Sequence, residues 1–479
     1  MRRRAGTSET LDHPQGGLTP LRVVEGSVAA LCVLVALLLA GCGDGERAAS
    51  PTPGSTLTAT LVDNDGDGFL EAGPGEPLRD RGSKAKLGRT LATFGQLTDT
   101  HVRDEESPAR VPFLDRTGAP FTSTFRPQEA FSTQTLDAAI RALNSQRPQA
   151  VFVTGDITDN AQRNELTMAL ATLRGRRVNP DSGDPGYDGV QAADSADPFY
   201  YRPDHDAPAH PGALQQAQRS FNATGLKAPW YALVGNHDVL AQGEVPPTDA
   251  INAFATGDRL VPSLDPRLEP PRREVEAKQA VAALLADSFG LDTIEVPADA
   301  RRRLESADGR IDQRNSADIG PDVRAIMVDT VNRDGTSRAL VTPAQLAQLQ
   351  QQLNAAGNRW VVVFSHNPLT EEALRLLDAH PRVVATIAGN SHRNRITRRG
   401  HFWQISTSSL ADFPQQSRMF RLRETAHGVA LETWMVDHDG KGLAGISREL
   451  AYLDAQGGRP QHFAGQARDR NARLFVRAT

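Results

Sequence analysis

Five short segments of this chain end in side chains that can hold metal ions or move protons. "LATFGQLTDTH" carries Asp99 and His101, "AVFVTGDITD" carries Asp156 and Asp159, and "YALVGNHD" carries Asn236, His237 and Asp238. "WVVVFSHNPL" carries His366, and "VVATIAGNSH" carries Asn390 and His392. Taken singly, an Asp or His after an apolar run is an ordinary cap or turn residue. Taken together they offer carboxylate, imidazole and amide donors, a set suited to Mn, Fe or Zn. The two cysteines, Cys32 and Cys42, both lie near the N-terminus, so a thiolate zinc site is excluded from this set. Imidazole titrates near neutrality, so a histidine left off the metals can deliver a proton.

Donors scattered over 300 positions need rigid elements to bring them together. Four of the five segments are nearly continuous apolar runs, as expected of strands buried on both faces. Helical spacing lies between them: Leu136, Ile140 and Leu143 mark one helix. A second begins at Thr342 and Pro343, repeats Leu346, Leu349 and Leu353, and stops at Gly357. Strands alternating with helices predict an α/β fold whose ligands gather beyond the carboxyl ends of the strands.

The ordered pattern Asp-x-His, Gly-Asp-x-x-Asp, Gly-Asn-His-Asp, lone His and a final Gly-x-x-His resembles the calcineurin-like metallophosphoesterase superfamily over roughly residues 90–440. "DPFYYRPDH", "APWYALVGNHD", "NSHRNRI" and "FWQISTSSLADFPQQSR" resemble, more narrowly, an exported bacterial group with long inserts between the motifs. The resemblance implies a two-sheet β-sandwich flanked by helices in four layers, and two divalent metal ions. Carried over, it puts Asp99, His101, Asp156 and His392 on the first metal. Asp156 would bridge to a second metal held by Asn236 and His366. His237 would stay off the metals as general acid, with Asp238 orienting its ring. The implied reaction is hydrolysis of a phosphomonoester or phosphodiester by a metal-bridging hydroxide, with no covalent intermediate. This chain departs from the pattern at Asn390, where the superfamily usually has a histidine on the second metal. A neutral amide is the weaker donor, so the second metal is expected to be loosely held. Arg393 and Asn394 follow the last ligand and are within chain reach of a phosphate. A different class also fits: a non-catalytic lipoprotein that uses the same fold as a binding surface.

Bulk properties limit the partners. The 479 residues carry a net charge of −5 with no basic block, so long nucleic acid is not expected and a small phosphoester is. Cyclic nucleotides, nucleotides, sugar phosphates and phospholipid headgroups all remain open, as does the oligomeric state. Residues 28–40, "VAALCVLVALLLA", have the length of a signal-peptide core and are short for a membrane span. The following "LAGC" resembles the lipobox of bacterial lipoproteins, which implies a lipid on Cys42 and a membrane anchor on the outer face of the cytoplasmic membrane. An ordinary secretory signal is the alternative. Residues 1–41 hold four basic and three acidic groups, so the mature chain would stand at −6.

Residues 42–88 read as a tether and N-terminal segment. Within it Asp63, Asp65 and Asp67, followed by Gly68, open like a calcium loop of EF-hand type. Pro74 sits where the twelfth-position Glu belongs, so a polar turn is the competing reading. Residues 89–440 form the expected catalytic domain, with inserts at 103–130, 175–212 and 241–322. The last contains the helix-like "EAKQAVAALLADSF". Long connections of this kind are expected to form a partial lid. "LETWMVDH" reads as a late strand, and residues 441–479 as a polar, basic tail.

Overall fold

The apolar runs do fold as strands, in a computed structural model that describes residues 54–117, 124–263, 293–335, 337–458 and 462–477. In chain order the strands of the two main sheets begin with β1 (Arg79–Arg81), β2 (Leu87–Leu97), β3 (Ala150–Thr154) and β4 (Trp230–Leu233). Then come β5 (Ser316–Asp318), β6 (Val323–Val328), β7 (Trp360–Ser365), β8 (Val383–Ala388), β9 (Arg395–Arg399) and β10 (Phe402–Ser406). The last three are β11 (Gln416–Thr425), β12 (Gly428–Asp437) and β13 (Ala472–Arg477). One sheet has the order β1-β13-β12-β11-β2-β3-β4, and the other β5-β6-β7-β8-β10-β9. β2, β3 and β4 run parallel, as do β6, β7, β8 and β10.

Parallel neighbours need crossovers, and helices supply them. α1 (Ser132–Ser145) and α2 (Arg163–Leu173) follow β2 and β3, while α3 (Pro343–Ala356) and α4 (Glu371–Asp378) follow β6 and β7. α3 starts where its sequence says it should. The Thr342 hydroxyl accepts from the Gln345 N–H, the Gln345 side chain reaches back to Thr342, and Gly357 ends the helix with φ +59°. Leu349 and Leu353 are its buried stripe.

The two sheets face each other across an aromatic seam. Phe152 stacks on Phe364 of the opposite sheet at 3.9 Å between ring centres, and Phe94 meets Phe364 edge-on at 5.8 Å. Fully burying a ring of this size contributes about 1.5–3 kcal/mol over leaving it in water. α1 and α2 cover the outer face of the first sheet through Leu136, Ile140, Leu143 and Leu166, and α3 and α4 cover the second through Leu349, Leu353, Leu374 and Leu377. The result is the expected four layers: helices, sheet, sheet, helices.

The aspartates of "DNDGDG" lie in the turn between Ala59–Val62 and Glu71–Pro74, which pair antiparallel, so the polar-turn reading describes their place in the fold. Two expectations are corrected here. Residues beyond 440 are no tail. α5 (Leu443–Gln456) packs its Leu443 and Leu450 against Phe131, and β13 pairs with β12 inside the first sheet. "ARLFVR" is too short for its period-two pattern to stand out from the polar sequence before it. The described part of the 103–130 insert is packed, with Phe113, Phe125, Arg103 and Arg110 buried, and is no open lid. Residues 28–40, Cys42 and the helix-like stretch at 276–289 lie outside the described residues.

Candidate metal centre

Strands β2, β3 and β4 of one sheet and β7 and β8 of the other end at one place. Beyond their carboxyl ends lie Asp99 and His101, Asp156 and Asp159, Asn236 and His237, His366, and Asn390 and His392. The backbone there is bent out of its ordinary range. Asp99, His101, Asp156, Asn390 and His392 have φ of 51°, 41°, 46°, 60° and 53°. Each left-handed non-glycine residue costs about 1–3 kcal/mol, and such costs gather where side chains must be aimed. Gly235, just past β4, lets Asp156 in: a Cβ at that position would stand 2.1 Å from Asp156 Oδ1.

Two donor groups share the Asp156 carboxylate. In the first, atoms of Asp99, His101, Asp156 and His392 all lie within 4.8 Å of one another. His101 Nε2 and His392 Nε2 face each other at 3.1 Å, and Asp156 Oδ2 is 3.8 Å from His101 Nε2. In the second, His366 Nε2 stands 3.2 Å from the same Asp156 Oδ2 and 3.1 Å from Asn236 Oδ1. The Asn236 amide is turned by its Nδ2, which donates to the Gly243 carbonyl at 3.1 Å.

The ring nitrogens on the far sides are all occupied. His101 Nδ1 meets Asp159 Oδ1 at 3.1 Å, His366 Nδ1 meets the Thr154 carbonyl at 2.8 Å, and His392 Nδ1 sits close against Asp412 Oδ2. An imidazole that donates from Nδ1 presents a lone pair at Nε2. Each Nε2 is thus the nitrogen turned towards the buried carboxylates and the neighbouring donors, where a divalent cation can take the place of a proton, so the donor set fits divalent metal.

Electrostatics follow. Burial opposes charge on Asp156, yet His366 and His237 outweigh it and hold the carboxyl well below its usual range. Burial likewise opposes charge on His366, but Asp156 pushes it up to about 10. His101 is lowered, chiefly by burial. Burial, with Asp156 adding to it, raises Asp238 to about 6.

The donors open onto a cavity of about 260 Å³, lined also by Arg126, His237, Glu244, Ser337, Asn390 and Phe463. A larger cleft of about 370 Å³ lies around Gln134, Arg141 and Lys441, but among the described residues it assembles no donor set. His237 Nδ1 donates to the Asp159 carbonyl at 2.6 Å. Asp238 does not orient that ring. Its Oδ1 accepts from the Ile157 and Thr158 N–H groups at 2.9 Å and its Oδ2 from Gly235, so it pins the backbone around Asp156.

Asn394 is also placed otherwise than expected. It is buried, and its Oδ1 accepts from Ser408 N–H and Arg418 Nη2. Arg393 is exposed with its guanidinium 5.9 Å from the Phe463 ring. Asn390 gives its backbone N–H to Asp99 Oδ1 at 2.9 Å and lines the cavity. The carboxylates of Asp63, Asp65 and Asp67 lie within 4.8 Å of one another and accept N–H groups of their own hairpin turn.

Sequence reasoning missed Asp412, Arg126 and Phe463. Asp412 lies in "STSSLADFPQQSR" with no ligand pattern around it, and Arg126 lies in the 103–130 insert beside Arg103, Arg110 and Arg116, with nothing local to single it out. Phe463 follows α5, in the segment read as a tail.

A two-sheet sandwich that converges carboxylate, imidazole and amide donors around a shared aspartate defines a metal-dependent hydrolase of the two-metal kind. The family model of the calcineurin-like phosphoesterases matches residues 92–394, all five motifs included, and the chain belongs to that family. It is a phosphoester hydrolase that uses divalent metal ions. Among solved structures it is similar to a dimetal phosphatase from Danio rerio, at 12% identity, covering 73% of this chain and 97% of that one with a TM-score of 0.39. It is similar too to GAP50, the anchor in the inner membrane complex of Plasmodium, at 10% identity, 74% and 86% coverage and a TM-score of 0.30. No curated protein matches the chain.

Proposed function

We propose that the chain hydrolyses a small phosphomonoester or phosphodiester outside the cytoplasm, with His237 as general acid and no covalent intermediate. The observation that carries this reading is the convergence of two donor groups on Asp156 Oδ2 beside a histidine left off both. Asp99, His101, Asp156 and His392 would hold one cation, and Asp156, Asn236 and His366 the other. When bound, two divalent cations supply Lewis acidity to phosphoryl oxygens and lower the pKa of a water. The chain's own residues do the rest. The Asp159 carbonyl holds the His237 ring through Nδ1, so Nε2 is the position from which a proton reaches the leaving oxygen. Arg393, beside the cavity-lining Phe463, is an exposed cation that would meet an anionic substrate. Asn390 in place of histidine leaves the second cation exchangeable, so activity rises with added Mn.

The test is a panel of aryl phosphomonoesters and phosphodiesters with the detergent-solubilised full chain and Asp156→Asn, with elemental analysis of both. Turnover in the unaltered chain, lost together with metal in the variant, supports the reading. Tight metal with no ester cleaved favours the binding-surface alternative.

The same proposal places the chain on the outer face of the cytoplasmic membrane through a lipid on Cys42. No helix among the described residues is long and apolar enough to cross a membrane. Two or more acyl chains give stable anchoring where one is marginal. Cys42→Ser in cells should therefore release the protein from the membrane fraction or block its processing. Unchanged membrane association would point to an uncleaved N-terminal segment.

A further inference from the structure

The far sides of the two first-site histidines are joined by an unbroken line of buried charges. Asp412 lies against His392 Nδ1 and pairs with Arg126, whose Nε stands 2.5 Å from its other oxygen and whose Nη2 donates to Oδ2 at 3.4 Å. Arg126 Nη1 reaches Glu129 Oε1 at 3.1 Å, and Glu129 Oε2 holds Arg103 Nη1 at 2.7 Å. Arg103 Nη2 closes on Asp159 Oδ2 at 2.5 Å, and Asp159 Oδ1 returns to His101 Nδ1 at 3.1 Å. The order is therefore acid, base, acid, base, acid, with an imidazole at each end. None of the five is more than 5% exposed. Arg103, Arg126 and Glu129 come from the 103–130 insert. Asp412 comes from the turn between β10 and β11, where Gln128 Nε2 ties it to the insert through the Ala411 carbonyl at 3.1 Å.

Burying five charges is expensive, and apolar packing of equal volume would stabilise the fold at least as well. The line must do something packing cannot. A carboxylate on the outer nitrogen of a metal-binding histidine fixes the tautomer and raises the basicity of the inner nitrogen. A carboxylate holds that position only if it is itself held. The planar forks of Arg103 and Arg126 each grip two carboxylates at once, and Glu129 couples the forks. His366 is outside this arrangement, since its Nδ1 is held by a backbone carbonyl.

We propose that Asp412, Arg126, Glu129, Arg103 and Asp159 form a positioning frame that sets the affinity of the first metal site. The described part of the insert is then a support for that site, and Arg126 and Glu129 are positioning residues that act through Asp412 and Asp159. The inference rests on the two-metal reading above.

The test is metal affinity, read by Mn competition against a chelating dye, with the melting temperature of the metal-free full chain measured alongside. Asp412→Asn should weaken the first Mn by about 10–100-fold, the usual cost of losing an outer-shell partner. Glu129→Gln keeps the shape and removes the coupling charge, and it should weaken the first Mn in the same direction. The pair Arg126→Met with Asp412→Asn removes one charge of each sign, so it answers the question if a lone substitution fails to fold. Weaker binding by folded variants supports the frame. Wild-type Mn affinity in folded Asp412→Asn and Glu129→Gln overturns it, whatever their melting temperatures, because the charges would then be structural only. Failure of the unaltered chain to bind Mn would overturn the two-metal reading itself, and the frame with it.

Discussion

Individual side chains decide the proton and the second cation. His237 belongs to neither donor group on Asp156 Oδ2, so its task is expected to be separable from metal binding. His237→Ala should lower kcat by about 10²–10⁴-fold on an alkyl phosphoester while metal content stays at the wild-type level. The loss should shrink on an aryl ester, whose leaving oxygen needs no proton. Equal losses on both esters would remove the general-acid role. Asn390 makes the complementary case. The residue lines the cavity, and an imidazole there would be a stronger donor to Mn, Fe or Zn than the amide. Asn390→His should raise metal stoichiometry after dialysis and flatten the dependence of activity on added Mn. Two tightly held metals in the unaltered chain would exclude a weakened second site.

At the scale of elements, the strand ends aim the donors and the helices hold the strands. The two can be separated by substitution. Gly235→Ala would press a methyl to 2.1 Å from Asp156 Oδ1, against backbone and carboxylate that have no room to give. Metal content and turnover should both collapse even where the fold survives. Thr342→Ala removes the hydroxyl that caps α3 on the outer face of the second sheet. It should cost about 1 kcal/mol of stability and leave turnover unchanged. If Gly235→Ala keeps its metal, the close approach of β4 to Asp156 is not what seats the carboxylate. The inserts belong to this scale as well. The described residues of the 103–130 insert pack into the fold, and its Arg103, Arg110 and Arg126 are buried beside carboxylates.

Over the whole molecule, buried carboxyls set how stability depends on pH. Burial, with Asp104 adding to it, pushes Glu106 up to about 9, and burial lifts Glu105 to about 7 against the pull of Arg110. A carboxyl raised on folding contributes stability that is complete below its unfolded value near 4.5 and is lost as pH rises through its folded value. The metal-free chain should therefore melt at progressively lower temperature from about pH 5 to pH 9. Glu106→Gln keeps the acceptor for the Asp188 N–H and removes the proton exchange, so it should flatten that decline. An unchanged slope would mean that Glu106 is not the titrating group. Asp412 and Asp159 run the other way. Burial opposes their charge, but Arg126 and Arg103 outweigh it and lower both. Their contribution is present above about pH 4 and is lost on further acidification.

By itself the sequence determined the types of donor, the strands that end in them and the capped helix at Thr342. Each of these is written within a dozen neighbouring residues: a run such as "WVVVF" is apolar on both faces, and Thr342, Pro343 and Gln345 carry their own capping chemistry. It could not say what stands behind a donor. Arg126 meets Asp412 across 286 positions, and neither neighbourhood hints at the other. The same distance hid the true work of Asp238, which bonds to Ile157 and Thr158, and of Asn394, which bonds to Arg418. β13 gained its place only because β12 offered a free edge to a six-residue run. Local chemistry chooses what a side chain can do, and the buried partner that only folding supplies decides which of those things it does.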